Sequence, residues 1–224
     1  MIEKKQAGEY AVRYIKEGMT IGLGTGSTVA YTIEKIGALV QQGLSIKGVA
    51  TSVETEKKAA EFGIPLISFN EAEKIDLTID GADEIDPQFN GIKGGGGALF
   101  REKLVALASD QVLWVADHAK LVQRIGNVPL PVEAASFGWM HTGKLLQDLN
   151  LKPVLRKTGE GHPYYTDNGN VIFDLNTGPV ENPEAMAAEI IQIPGVIEHG
   201  LFLRHPDTVI TGVNGSVVIR DRQS

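Results

Sequence analysis

The sequence predicts an α/β protein: a Rossmann-like, mostly parallel sheet with a second, smaller ferredoxin-like α+β subdomain. Three observations support this fold class. Up to about residue 126, short apolar strands alternate with helical segments, which is the order of right-handed crossovers in a parallel sheet. Beyond that point the order approximates a βαββαβ unit. Near the carboxyl terminus, two strand-like runs flank Asn214-Gly215, the signature of a hairpin.

The first domain is predicted over residues 1–126, completed by residues 204–224. Apolar residues at helical spacing predict helices over 3–17, from Thr28 to Gly43, from 51 to 63 and after Gly97. Thr51-Ser-Val-Glu54 matches a capping box. Short apolar runs predict the strands of the sheet at 19–23, 46–50, 65–69, 76–80 and 111–116.

The second subdomain is predicted over residues 127–203. Its first strand, 128–133, contains prolines and therefore suits a sheet edge. A helix is predicted over 136–149, and Asn182-Pro-Glu184 opens a second helix. The remaining strands are expected at 152–156, 164–167, 171–175 and 196–203, and the closing hairpin joins 208–211 to 216–219.

Charge and composition exclude several classes of function. The net charge is -7, from 21 basic and 28 acidic residues, which argues against nucleic acid or anionic membranes as partners. The sequence has no apolar run long enough to span a bilayer, and its amino terminus lacks a signal-peptide core. The absence of cysteine excludes thiolate metal sites and fits a reducing compartment. We therefore expect a cytoplasmic protein.

The most informative stretch runs from Asp76 to Lys103. A strand ends in a cluster of carboxylates, which is followed by Lys93, by Gly94–Gly97 and by a helix that carries Glu102. Taken separately, the carboxylates suit an acidic turn and the glycines a flexible loop. A calcium loop is a further alternative, but the spacing of the carboxylates does not match one. On a single strand-to-helix connection, the two features together favour a ligand site, because bare backbone allows close approach.

A second candidate site is Gly24-Thr-Gly-Ser-Thr28, between a strand and a helix. Free N–H groups at a helix start, with nearby hydroxyls, form an anion cradle. The loop is neither Walker A nor G-x-G-x-x-G. The alternative is a plain helix cap formed by Ser27 or Thr28. Lys4 and Lys120 are the nearest candidate cations: Lys120 follows a strand end, and Lys4 is either a solvated surface charge or a ligand contact.

Taken together, these segments resemble type A ribose-5-phosphate isomerase. The resemblance spans nearly the whole chain, in the family's order. It departs from the family at Phe100 and His118, and neither is a catalytic position. The matching motifs are Gly22-Leu-Gly-Thr-Gly-Ser-Thr28, Asp80-Gly-Ala-Asp-Glu84, Lys93-Gly-Gly-Gly-Gly97, Arg101-Glu-Lys103, Ala116-Asp117 with Lys120, Pro129-Leu-Pro-Val-Glu133 and Thr166-Asp-Asn-Gly-Asn170.

The resemblance implies an aldose–ketose isomerase of the non-oxidative pentose phosphate pathway, which interconverts D-ribose 5-phosphate and D-ribulose 5-phosphate through an enediol(ate). It implies no cofactor, no metal and a homo-oligomer, either dimer or tetramer. Glu102 would be the base, Lys93 would stabilise the enediolate, and Asp80 and Asp83 would assist ring opening. The implied substrate-binding residues are Thr25, Gly26, Ser27, Thr28, Asp80, Gly81, Ala82, Asp83, Lys93, Gly94, Gly95, Gly96 and Lys120.

Two other classes of protein compete with this interpretation. An amino-sugar-phosphate deaminase or a CoA transferase could share such a sheet, but each needs catalytic groups other than the Asp80–Asp83 and Glu102 set. A sugar-phosphate-sensing domain of a transcription regulator would require an attached helix-turn-helix and a basic face, for which this acidic chain leaves no room. The five histidines are scattered without metal-ligand spacing. An isomerase acting on a small sugar phosphate is the prediction that follows.

Overall fold

The computed structural model describes residues 1–223 and divides into two compact units. The first unit comprises 1–82, 101–121 and 204 onward. The second comprises 83–100 and 122–203. Compared with the predicted boundaries, the segment 83–100 lies in the second unit, and that unit begins its long segment at Val122.

The described residues contain six α-helices and thirteen strands. No described helix is long and apolar enough to cross a membrane. The helices are α1 (Ile2–Ala11), α2 (Val29–Gln41), α3 (Val53–Glu61), α4 (Leu99–Leu107), α5 (Trp139–Asp148) and α6 (Pro183–Ile191). The strands are β1 (Thr20–Leu23), β2 (Lys47–Ala50), β3 (Leu77–Asp80), β4 (Glu84–Ile85), β5 (Gly91–Ile92), β6 (Val112–Asp117), β7 (Leu130–Ala134), β8 (Pro153–Leu155), β9 (Val171–Leu175), β10 (Val196–His199), β11 (Leu201–Phe202), β12 (Thr208–Val213) and β13 (Ser216–Asp221).

The first unit is built on a six-stranded sheet in the order β13-β12-β6-β3-β1-β2. All its neighbouring strands are parallel except the pair β12–β13, so the Rossmann-like prediction is confirmed. The β12–β13 hairpin turns at Asn214 and Gly215, both with positive φ, as expected for a tight two-residue turn. The core of the first unit is formed by apolar side chains of the strands, such as Ile21, Ile79 and Leu113, which pack with those of α1 and α2.

The second unit contains a four-stranded antiparallel sheet in the order β10-β7-β9-β8. With α5 after β7 and α6 after β9, this is the strand order of a βαββαβ unit, so the ferredoxin-like prediction is also confirmed. The expectation that the proline-containing strand lies at an edge is wrong, because β7 pairs on both sides. Pro131 is tolerated there although it has no backbone N–H to donate. Its carbonyl makes the hydrogen bond at this position, accepting from Gly200 N–H at 2.7 Å.

Several predicted elements are shorter than the sequence suggested. Residues 65–69 form only an isolated bridge, Gly48↔Leu66, and residues 164–167 only the bridge Tyr165↔Val171. The first helix ends at Ala11 and continues as a 3-10 turn to Tyr14. The predicted strand 196–203 divides into β10 and β11, and β11 joins a separate three-stranded sheet with β5 and β4. A segment with a strand-like sequence forms a strand only where a neighbouring strand offers hydrogen-bond partners. Such partners are present along only part of each of these predicted strands.

Candidate functional site

Three strands of the first unit end side by side at the edge where the predicted site residues lie. In the sheet, β3 lies between β1 and β6, and all three are parallel. Asp80 is the last residue of β3, Thr25–Thr28 follow β1, and Lys120 follows β6. Ligands of open parallel sheets bind beyond the carboxyl ends of the strands. Asp80, Thr25–Thr28 and Lys120 therefore follow the carboxyl ends of neighbouring strands of one sheet, whereas Asp83 and Lys93 belong to the second unit.

Asp80 joins the end of β3 to the loop after β1. Its carboxylate is 1% exposed, and Oδ1 accepts from the N–H groups of Thr25 at 3.1 Å and Gly81 at 2.7 Å. A Cβ on Gly24 would come within 2.1 Å of the same oxygen, so only glycine fits there. Gly81 and Ala82 continue from Asp80 as half-buried backbone. The Asp80 carboxylate and the loop thus fix each other's position.

The Thr25 hydroxyl is used to shape the loop. It shares hydrogen bonds with the hydroxyls of Thr51 at 2.8 Å, Ser52 at 2.8 Å and Thr55 at 3.2 Å. Ser52 is also the N-cap of α3, accepting from Thr55 N–H, and Thr51 donates to Leu23 O. This cluster holds Thr25 against the start of α3. The next three residues of the loop, Gly26, Ser27 and Thr28, do not take part in the cluster.

Thr28 occupies the N-cap position of α2, but its side chain makes no capping hydrogen bond. Its hydroxyl has no hydrogen-bond partner among residues 1–223, so the helix-cap alternative does not account for it. Ser27 Oγ accepts from Lys4 Nζ at 2.9 Å, and the same ammonium lies 3.7 Å from Asp117 Oδ2. Lys4 therefore lies against the hydroxyl loop, in which Gly26 has a φ of 122°.

Lys120 ends the short turn after β6. Asp117 begins this turn, and its Oδ1 accepts from Ala119 N–H at 3.0 Å. The Lys120 side chain is half-buried and forms no ion pair or hydrogen bond within the described part of the chain. Lys4 and Lys120 thus supply positive charge at this edge of an otherwise acidic protein.

Glu102 lies in the first turn of α4 and is 4% exposed. Beyond the far end of this helix, Asp110 N–H donates to Ile75 O at 2.9 Å, close to where β3 begins. The carboxyl end of this helix is therefore followed by a contact with the segment that leads into β3. A carboxylate in a first helical turn is stabilised by the positive end of the helix dipole.

In the second unit, Lys93, Asp83 and the glycine loop form the other set of predicted residues. Lys93 is 3% exposed; its N–H donates to Gly200 O at 2.9 Å, and its ammonium lies 5.4 Å from the centre of the Phe202 ring. Asp83 Oδ2 accepts from Gly95 N–H at 2.8 Å. Gly94 has a φ of 102°, which explains why glycine begins this loop.

Two residues that the sequence did not single out hold this glycine loop. Arg156 Nη1 donates to Gly94 O at 2.9 Å and to Gly95 O at 3.2 Å. The Tyr164 hydroxyl donates to Gly96 O at 3.3 Å. Both contacts join residues more than 60 positions apart in the chain. No local pattern of the sequence indicates them, because neither residue lies in a glycine-rich or acidic motif.

The acidic cluster does not have the geometry of a cation site. Asp86 Oδ1 accepts from the N–H groups of Gln88 and Asn90, and Oδ2 from the Asn90 amide. These contacts make it the first residue of a polar turn. Within residues 1–223, no three carboxylate or histidine side chains are grouped so that they could hold a metal ion.

Comparison with known proteins gives a consistent result. Residues 47–215 match the family described as ribose 5-phosphate isomerase A (phosphoriboisomerase A). The chain is 53% identical over 210 residues to ribose-5-phosphate isomerase A of Listeria innocua serovar 6a, with 94% of each chain covered. It is 47% identical over 211 residues to the protein of the same name from Limosilactobacillus reuteri, covering 93% of this chain and 92% of that one.

Solved structures agree with this similarity. A D-ribose-5-phosphate isomerase in complex with phospho-erythronic acid superposes with a TM-score of 0.94 at 38% identity, over 98% of this chain and 97% of that one. The ribose 5-phosphate isomerase of Plasmodium falciparum superposes with a TM-score of 0.93 at 36% identity, over 99% of this chain and 98% of that one. The family predicted from the ordered motifs is thus confirmed: the chain belongs to the ribose 5-phosphate isomerase A family.

Proposed function

We propose that this chain interconverts D-ribose 5-phosphate and D-ribulose 5-phosphate in the non-oxidative pentose phosphate pathway. The observation that carries the proposal is the set of groups in the first unit: the buried carboxylates Asp80 and Glu102, and a hydroxyl loop and two lysines that follow the strands of its sheet. An aldose–ketose isomerase needs a carboxylate that accepts and returns a proton and an anchor for phosphate. The relatives named ribose-5-phosphate isomerase A support the same reaction.

Glu102 is the proposed base. It would remove the proton from C2 of the open-chain aldose and return it to C1 of the enediolate, and the reverse reaction would use the same group. One carboxylate can do both because each transfer leaves it in the state that the next requires. Burial of Glu102 limits exchange of that proton with water. It also strengthens the electrostatic interaction between the carboxylate and the reacting part of the substrate.

Lys93 and the N–H groups of Gly94–Gly96 are proposed to stabilise the enediolate oxygens, as in an oxyanion hole. Gly95 N–H donates to Asp83, and Gly94 is buried whereas Gly96 is exposed; we therefore assign this role to the Gly96 N–H. The relative in complex with phospho-erythronic acid binds a phosphate ester with a planar carboxylate. A carboxylate presents two coplanar oxygens, as an enediolate does, so this compound should also bind the present chain.

Asp80 and Asp83 are proposed to hold sugar hydroxyls and to move the proton that opens the furanose ring. Gly81 and Ala82 would contribute backbone contacts to the same region of the sugar.

For the phosphate, we propose Gly26, Ser27 and Thr28 with Lys4 and Lys120. The Thr25 hydroxyl is already engaged by three other hydroxyls. Thr25 is therefore proposed to bind substrate through its backbone and to support the loop, rather than to donate its hydroxyl to the phosphate.

We further propose that the protein is a cytoplasmic homo-oligomer, dimer or tetramer, that needs neither cofactor nor metal. Exposed apolar side chains in the second unit support association: Phe137 is 96% exposed and Met140 is 63% exposed. Light scattering of the purified protein measures the mass directly against the 24.1 kDa of one chain. A mass of one chain at assay concentration would contradict the proposed oligomer.

Turnover of ribose 5-phosphate by the purified protein tests the proposed reaction. Glu102→Gln keeps the shape of the side chain but removes its basicity, so kcat should fall by at least about 10²-fold while KM changes only a few-fold. Glu56→Gln, the same substitution at an exposed position of α3, is the matched control. Near wild-type turnover by Glu102→Gln would refute the assignment of the base; no turnover by the wild type would refute the function.

A further inference from the structure

The carbonyl groups of the glycine loop are held by side chains of the second unit. Arg156 donates to Gly94 O and Gly95 O, and Tyr164 donates to Gly96 O. Three successive peptide groups therefore have their oxygens fixed by side chains. The loop itself, Gly94–Gly97, has no side chain with which to hold its own conformation.

Arg156 is itself rigidly held. Its Nε and Nη2 donate to the two carboxylate oxygens of Asp174, a bidentate pair. Its N–H donates to Ile172 O at 2.8 Å, and its carbonyl accepts from Tyr164 N–H at 2.9 Å. The guanidinium carbon lies 5.9 Å from the centre of the Tyr164 ring. A planar guanidinium with several donors can hold a carboxylate and two carbonyls at once, and a lysine cannot.

These contacts determine the direction of the loop's N–H groups. A trans peptide is planar, with its C=O and N–H pointing in opposite directions, and the described chain has no cis peptide. Because Gly95 O points to Arg156, the N–H of the same peptide, that of Gly96, points away from it. This N–H donates to no residue of the described chain, and Gly96 is exposed. Gly96 N–H is thus a fixed donor with room for an external acceptor.

The charge of Arg156 adds to this effect. A cation bonded to a peptide oxygen draws electron density from the peptide, which makes its N–H a stronger donor. Glycine also loses more backbone entropy than other residues when it is ordered, so an unclamped loop would sample many orientations. Tyr164 restricts the next residue as well, since a Cβ at Gly97 would lie 2.3 Å from its hydroxyl oxygen.

We propose that Arg156, held by Asp174, is a positioning residue for the isomerase reaction: it orients and polarises the Gly95–Gly96 peptide so that Gly96 N–H binds the enediolate oxygen. This inference rests on the proposed function and assigns a role in it to a residue outside the motifs that resemble the family. Arg156 does not contact the reacting atoms; it acts through the loop.

The variants Arg156→Gln and Arg156→Lys test the proposal with ribose 5-phosphate as substrate. Misplaced catalytic donors cost about 10²-fold in rate, so we expect kcat to fall by at least about tenfold, with KM changed by less than about threefold. Phospho-erythronic acid should lose inhibitory affinity by about the factor seen in kcat, because it resembles the enediolate. Inorganic phosphate should inhibit as in the wild type, within about threefold, since it is anchored by the loop at Thr28.

Arg124→Lys is the matched control, because Arg124 is an exposed arginine of the same unit whose guanidinium lies 3.5 Å from the Glu181 carboxylate. It should keep wild-type kcat. If Arg156→Gln does not fold, Arg156→Lys decides by the same criteria, and loss of the fold in both would overturn the proposal. Equal loss of affinity for phosphate and for phospho-erythronic acid would indicate a merely structural role and also overturn it. An active wild type with normal kcat in both variants refutes this inference alone, whereas an inactive wild type refutes the proposed function and this inference with it.

Discussion

Replacing Thr28 by alanine separates phosphate binding from structural support. In the structure its hydroxyl makes no hydrogen bond to the described chain, although Thr28 occupies the N-cap of α2. Thr28→Ala therefore removes no hydrogen bond of the folded protein. Thr28 is 8% exposed, so the loss of its methyl group should lower the free energy of unfolding by about 1 kcal/mol at most. If the hydroxyl binds phosphate, its loss should appear only when substrate is present.

The magnitude follows from the charge of the ligand. A hydrogen bond to a charged group contributes about 1.5–3 kcal/mol, which corresponds to a rise of about 10- to 150-fold in KM. Phosphate is remote from the reacting carbons, and its charge is similar in the ground and transition states, so kcat should change much less. Inorganic phosphate should weaken as a competitor by a similar factor.

Thr32→Ala on the same helix is the control. The Thr32 hydroxyl is buried and donates to Gly8 O at 3.0 Å, so its removal should lower the free energy of unfolding by about 1–3 kcal/mol and leave KM unchanged. Initial rates at varied ribose 5-phosphate, with and without phosphate, and urea unfolding curves provide both measurements. A Thr28→Ala enzyme with wild-type KM and wild-type phosphate inhibition would refute the reasoning, and Lys4 and Lys120 would then be the next candidates for the anchor.

Two further predictions concern metal and pH. Prolonged chelation should leave isomerase activity unchanged, since Lys93 and backbone N–H groups are proposed to polarise the substrate; loss that one divalent ion restores would contradict this. The Lys74 ammonium, and next the Thr20 N–H, hold the pKa of Asp76 below its ordinary value of 3.8. The stability this contributes is present above pH 3.8 and is lost as pH falls through the lower pKa of the folded state. Asp76→Asn should therefore destabilise the protein at neutral pH, and urea unfolding should show this difference shrinking in acid; a constant difference would refute it.

The local patterns of the sequence were sufficient to predict the fold of each of the two units. Parallel strands such as β1 and β3 are short apolar runs between helices, and their period and turns depend on nearby residues only. The turn at Asn214-Gly215 follows from the positive φ that both residues tolerate. Lengths were less predictable: residues 65–69 have an apolar strand pattern but form only one bridge, because a strand also needs a partner along its whole length.

The sequence by itself also placed Asp80, Thr28 and Glu102 in candidate sites, because strand ends and helix starts of an α/β sheet are where ligands bind. It could not distinguish the two threonines of one loop. Only the tertiary structure decided that the Thr25 hydroxyl is hydrogen-bonded to Thr51, Ser52 and Thr55, while the Thr28 side chain makes no capping hydrogen bond. Likewise, only the structure brought Arg156 to Gly94 and Gly95. Periodicity and turn chemistry are properties of neighbouring residues, whereas hydrogen-bond partners far apart in the chain are determined by how the strands and helices pack.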